Sequence, residues 1–245
     1  MQIGILGGTG PAGSALGARL ASVGFDVVIG SRSKYRAMEV VDKLHEKWST
    51  LDLPITAGDN AAAAEADVIV IATPWDAAYG TATSVADQLA GKVVICMANA
   101  LTRIGKEFQP LVPPRGSVAA SVQAAVPACR VAAGFHHVPA KELGDLEHPI
   151  ESDVLICSDF PEATAVTSKI VASVANLRPL DAGGLSQATP IESFTAVLLQ
   201  LNVHYKTRVA VKFTGIPDSA HDNGEPMTTG PVLEQGPSGT SQEQR

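Results

Sequence analysis

Positive charge is scarce in this chain. Its 18 lysines and arginines face 25 aspartates and glutamates, for a formal net charge of −7. A surface that neutralises nucleic-acid phosphates needs clustered basic residues, so nucleic acid is not an expected partner. Cysteine is rare too. Cys96, Cys129 and Cys157 are isolated, odd in number and without metal-ligand spacing. They read as small buried apolar side chains in a reducing compartment, not as disulfides or metal ligands. No apolar run approaches the roughly 18 residues that a membrane span requires. The opening MQIGILGG enters a strand directly, with no basic leader and no cleavage site. A cytoplasmic protein with no membrane partner is expected.

What the chain does have is apolar punctuation. Of its 245 residues, 45% are hydrophobic, enough for one good core and a smaller appendage. Residues 2–7 (QIGILG) are a nearly all-apolar run of the kind buried on both faces of a parallel sheet. Pro11 to Val23 has helical periodicity, with Leu16 and Leu20 on one face, and stops before Gly24. Asp26–Ile29, Asp67–Ala72 and Lys92–Cys96 read as further strands. Between them lie helices at Ser33–Trp48, Ala61–Ala66 and Pro74–Leu89. Strands alternating with helices across short loops predict βαβ units, an α/β Rossmann-like doubly wound parallel sheet. The texture changes near Ala133. GFHHVPA is loop-like, Ser152–Cys157 reads as a strand, Pro161–Ala175 as a helix, RPLDAGGLS as a loop and Pro190–Tyr205 as a last helix. The expected organisation is a nucleotide-binding domain over 1–133 and a smaller α/β domain over 134–216 that completes a cleft. Residues 217–245, polar and nearly free of apolar side chains, are expected to be a disordered tail.

The stretch GGTGPAG holds G-x-G-x-x-G as Gly8, Gly10 and Gly13. In a chain with 22 glycines the pattern alone is weak, but here it follows the first buried strand and opens the first helix. In that context Gly8 is expected to make the tight turn, Gly10 to let the backbone approach a pyrophosphate, and Gly13 to let helix and strand pack closely. The helix N-terminus supplies free N–H groups, and Pro11 suits a position whose N–H is not needed. A second absence then selects the dinucleotide. NAD enzymes place a carboxylate at the end of the second strand for the ribose hydroxyls. This strand ends Ile29-Gly30-Ser31-Arg32, with no carboxylate, and a hydroxyl followed by a guanidinium suits the 2′-phosphate of NADP. Lys34 and Arg36 either add charge there or are simply solvated. Thr73-Pro74-Trp75 ends a central strand at the carboxyl edge where ligands of open α/β sheets sit, although Trp75 fits packing equally well. Asn99 follows the next strand, where an amide could meet a nicotinamide. His136 and His137 lie at the cleft, as orienting groups or ordinary loop residues. Asp181 and Ser186 bracket a glycine pair and read equally as turn residues.

On these residues the chain resembles the F420-dependent NADP oxidoreductases, which exchange hydride between NADPH and the deazaflavin coenzyme F420. The motifs that carry the resemblance are GGTGPAG, VVIGSR, TPW, FHHVPA and LRPLDAGGLS followed by ESFTAVLLQLN, over about residues 1–213. The last segment is the most specific, since a generic nucleotide fold does not require it. The resemblance implies that Thr9, Gly10, Pro11 and Ala12 wrap the pyrophosphate and that Ser31, Arg32 and Arg36 hold the 2′-phosphate. It further implies that Thr73, Ala77, Asn99 and Ala140 lie along the nicotinamide half, with the deazaflavin stacked in a cleft floored by His136–Pro139. A homodimer through the carboxy-terminal region is also implied. Direct hydride transfer asks the protein for alignment and exclusion of water and needs no nucleophile, so no catalytic side chain is expected and His136 at most orients the acceptor. A hydroxyacid dehydrogenase would need a poised lysine or histidine, and the last helix has no lysine before Lys206. The alternative is an NADPH-dependent flavin or ferric reductase related to the cytosolic domains of membrane metalloreductases.

Overall fold

The computed structural model describes residues 1–217, so the expected tail lies, beyond its first residue, outside the described residues. Residues Met1–Thr214 form one compact unit. Its eight-stranded sheet uses β1 (Gln2–Leu6), β2 (Asp26–Ser31), β3 (Ile55–Asp59), β4 (Val68–Ile71), β5 (Val93–Cys96), β8 (Arg130–Ala133), β9 (Ser152–Ser158) and β10 (Leu177–Asp181), in the order β10-β9-β8-β5-β4-β1-β2-β3. Every pairing is parallel except β8 with β9, which run antiparallel with Ala133 opposite Cys157. The six strands from β3 to β8 are the doubly wound nucleotide-binding arrangement.

Side-chain alternation along each strand builds a core on each face. In β4, Val68 and Val70 join one cluster with Leu16 and Leu20 of α1 (Pro11–Ser22), whereas Ile69 and Ile71 join the other with Ala78 and Ala82 of α4 (Trp75–Thr83). The first cluster also takes α2 (Lys34–Lys47) and α8 (Pro161–Ala172); the second takes α3 (Asn60–Ala64), α5 (Ala86–Leu89) and α6 (Val118–Ala125). Two short elements complete the unit, the hairpin β6 (Leu101–Ile104) and β7 (Glu107–Pro110), and α7 (Ala140–Leu143); the long α9 (Ala188–Tyr205) follows.

The structure departs from the sequence expectations in specific places. The boundary expected after residue 133 falls inside one continuous sheet, because β9 pairs directly with β8. Val154 and Ile156 of β9 enter the core of one face and Cys157 that of the other, so the second half extends the first core. The RPLD segment is a strand rather than a loop, and Pro179 is tolerated because β10 is an edge strand. The helix expected over 74–89 breaks at Ser84–Val85 into α4 and α5. β3, β8 and the hairpin are additional to the expected strands.

Candidate functional site

At the end of β1 the chain turns through Gly7, whose φ is 68°. The tight turn runs through Gly7 and Gly8: Gly7 takes the left-handed backbone, and Gly8 N–H closes the turn on Ile5 O at 3.2 Å. Gly7 N–H donates to Asn60 Oδ1 at 3.1 Å, and a Cβ there would lie 2.4 Å from Thr73 Cγ2. Gly8 and Gly13 are packing positions. A Cβ on Gly8 would meet Ile5 O at 2.9 Å, and one on Gly13 would meet Gly8 Cα at 2.8 Å and Ala72 Cβ at 3.0 Å. Gly10 differs: a Cβ built on it meets nothing within 4 Å among the described residues. It is the N-cap of α1, with no side-chain cap on the helix and Pro11 following. Thr9, Gly10, Pro11 and Ala12 thus surround an open space at a helix start whose amides no side chain satisfies, which fits an anion such as pyrophosphate.

The end of β2 lies beside this loop, with Gly8 N–H donating to Gly30 O at 2.9 Å. Ser31 is buried and its hydroxyl accepts from Ser33 N–H at 3.3 Å. Ser33 in turn caps α2 by accepting from Arg36 N–H. Arg32, Lys34 and Arg36 are exposed, and among the described residues the Arg32 and Arg36 guanidinium groups make no hydrogen bond or ion pair. Asp59, level with Ser31 on β3, already accepts from Ala62 N–H at 2.8 Å as the cap of α3. Two free cations at this edge fit a 2′-phosphate.

The carboxyl ends of β4, β5 and β8 gather the remaining candidates. Thr73 follows β4, and its hydroxyl is buried with no hydrogen-bond partner among the described residues. Ala77 is half-buried on α4. Trp75 lines a cavity of about 480 Å³ between α4 and α6, with Tyr79, Pro113, Arg115 and Val118. Asn99 is committed to the protein: its Nδ2 donates to His136 O at 2.9 Å, and its Oδ1 accepts from Thr195 Oγ1 of α9 at 3.2 Å. His136 is 4% exposed, and among the described residues neither ring nitrogen makes a hydrogen bond of good geometry. Burial, followed by the neighbouring His137, pushes it down to about 3, so the ring is neutral. The residue before it, Phe135, is buried and left-handed with φ 61°, a backbone that β-carbon residues rarely adopt outside constrained sites. His137 sits 2.7 Å from Asp153 O, away from the role considered for His136. Ala140 opens α7, which packs on α1. Asp181 and Ser186 stand apart: Asp181 accepts from Gly183 N–H at 2.8 Å as a turn residue, and Ser186 lies in a short 3-10 turn.

Several residues of the site escape sequence reasoning. Arg19, buried in α1, donates to the carbonyls of Leu143 at 3.1 Å, Glu142 at 3.0 Å, His148 at 3.2 Å and Asp145, which holds the segment after Ala140 against the glycine-loop helix. Asn60, Thr195 and Glu192 act across similar sequence distances. The Glu192 carboxylate is 3% exposed and accepts from Val118 N–H at 2.9 Å and Ala119 N–H at 3.1 Å. Burial pushes it up to about 7, against those two bonds. Glu192 and Thr195 both lie in the ESFTAVLLQLN motif, but nothing in that run says which distant groups they bond. All three cysteines are free and buried, and no helix among the described residues is long and apolar enough to cross a membrane.

Comparison with known proteins bears on this arrangement. The family model described as NADP oxidoreductase, coenzyme F420-dependent, matches residues 2–100. The F420-dependent NADP reductase of Methanocaldococcus jannaschii is 35% identical over 213 residues, covering 85% of this chain and 95% of that protein. Metalloreductase STEAP3 of Rattus norvegicus is 30% identical over 198 residues, which are 81% of this chain and 37% of that protein. Among solved structures, one from Arthrobacter sp. FB24, assigned as an F420-dependent NADP-reductase, superposes with TM-score 0.75 at 21% identity, covering 87% of this chain and 100% of that one; at that identity it speaks for the fold. Near-complete coverage of the jannaschii protein at this identity settles the affiliation: the chain belongs to the F420-dependent NADP oxidoreductase family.

Proposed function

We propose that this protein transfers a hydride between NADP(H) and the deazaflavin coenzyme F420. The observation that carries the reading is the relationship, over 85% of this chain and 95% of that protein, to an F420-dependent NADP reductase. The site is consistent with it. Gly8, Thr9, Gly10, Pro11, Ala12 and Gly13 shape the pyrophosphate cradle, and Ser31, Arg32 and Arg36 hold the 2′-phosphate. Thr73, Ala77, Asn99 and Ala140 border the nicotinamide half. With NADPH as donor, the C–H bond at nicotinamide carbon 4 breaks, a C–H bond forms at deazaflavin carbon 5, and a solvent proton completes the reduced ring. The side chains align the two rings and exclude water. Neutral His136 has no readily lost proton at physiological pH, so it does not act as an acid and at most orients the acceptor.

The test uses purified protein with NADPH deuterated on one face of carbon 4. F420 absorbance should bleach, and the label should be retained at carbon 5, because carbon-bound deuterium does not exchange with water there. Oxidation of NADPH by free flavin or ferric chelates, with no F420 reduction, would favour the metalloreductase-like alternative and sink the proposal. We also propose a soluble, cytoplasmic homodimer. Val197, Val203 and Tyr205 on α9 and Ile104 on the hairpin are exposed apolar side chains that a partner copy would cover. Sedimentation at the monomer mass would exclude the dimer.

A further inference from the structure

We propose that Glu192 is a positioning residue of the transfer site, a buried carboxylate that locks the start of α6 to α9 and so holds the acceptor side of the cleft in register. This rests on the hydride-transfer reading above. Its two oxygens take the first two amides of α6, and Ser117 Oγ takes the third, from Ala120 N–H at 3.0 Å. Val118, one of the two residues gripped, lines the cavity shared with Trp75 and Arg115. Thr195, three residues along α9 and on the same helix face, reaches Asn99 Oδ1 at 3.2 Å and His136 O at 3.3 Å. One helix edge therefore fixes both the α6 wall of the cavity and the Asn99–His136 loop pair. The glycine loop and the Ser31–Arg36 edge make no contact with Glu192 among its hydrogen bonds.

The grip depends on ionisation. A carboxylate offers two good acceptors to two amides, whereas a protonated carboxyl offers one carbonyl oxygen and a poorer hydroxyl oxygen. The titratable groups facing Glu192 are the Cys96 thiol at the end of β5 and the Cys157 thiol on β9. Burial, first of all causes, pushes each up to about 12, so they stay neutral. Glu192 has no ion pair among the described residues. Its own affinity for a proton, raised to about 7, places the change from one grip to two near neutrality.

The experiment measures F420 reduction by the full-length protein at saturating NADPH between about pH 5.5 and 8.5, for wild type and Glu192→Gln. In wild type, kcat/KM for F420 should fall as the pH drops through about 7. Glu192→Gln, with one acceptor oxygen and an amide facing an N–H, should lose that inflection and sit roughly tenfold below the alkaline wild-type value at every pH. Its Kd for NADPH, read by fluorescence, should be unchanged. An inflection retained in the variant, or an equal loss of NADPH affinity, overturns the inference. Wild-type turnover with no inflection overturns it alone, even if the variant does not fold. No F420 turnover by wild type at any pH overturns the transfer reading and this inference with it.

Discussion

Three glycines of one short motif do three different jobs, and the space around each says which. Gly7 needs its left-handed backbone, Gly13 needs the absence of a side chain against Gly8 and Ala72, and Gly10 needs neither in the free protein. The two kinds of need separate experimentally. Gly13→Ala places a methyl against backbone and should cost about 1–3 kcal/mol of stability, as overpacked sites do. Gly10→Ala, at an ordinary φ of −76°, should leave the melting temperature of the free protein within a degree or two of wild type. It should instead abolish the rise in melting temperature that NADPH produces, because the methyl occupies the ligand's space. Calorimetry with and without NADPH reads both variants. A Gly10→Ala protein stabilised by NADPH as strongly as wild type would remove Gly10 from the phosphate cradle.

At the scale of elements, the part of the chain that sequence reasoning set apart as a second domain is tied into the sheet by a buried charge. Asp153 on β9 has a fully buried side chain and receives both Arg178 Nε and Nη2 at 2.7 Å from the edge strand β10. It also accepts from Phe213 N–H at 2.6 Å, which clasps the segment after α9 to the same strand. Replacing the carboxylate by an amide sets an NH2 against one of the three donors that Asp153 accepts and removes the buried negative charge, and breaking such a pair costs more than the pair gains. Asp153→Asn should therefore lose roughly 3–5 kcal/mol in urea unfolding. A loss below about 1 kcal/mol would show the pair to be effectively solvated. This clasp was not legible beforehand. Asp153 and Arg178 sit in runs that read as a strand and a loop, and nothing local marks them as partners.

At the scale of the molecule, the antiparallel junction of β8 with β9 makes one sheet and two continuous core layers out of what the changing texture near Ala133 suggested were two domains. Cooperative unfolding follows from shared burial, so the 1–214 unit should unfold in a single transition whose calorimetric and van't Hoff enthalpies agree. NADPH should move that transition as a whole. A second, NADPH-insensitive transition would restore the two-domain description.

The chain's order of residues was enough to determine the nucleotide half, because each of its signals is local. A strand, a glycine turn and a helix start lie within a dozen positions, and the missing carboxylate after Ile29 is read at a single strand end. The motifs around TPW, FHHVPA and LRPLDAGGLS likewise sufficed for the family. What only the tertiary structure decided are relations between residues far apart in sequence: Arg19 with the 142–148 carbonyls, Asn60 with Gly7, Thr195 with Asn99, and Glu192 with the first turn of α6. In each, a polar group buried by the packing of distant elements has to be satisfied where it lies. Which groups become buried together depends on how strands pair and helices cross, and no local pattern of residues encodes that.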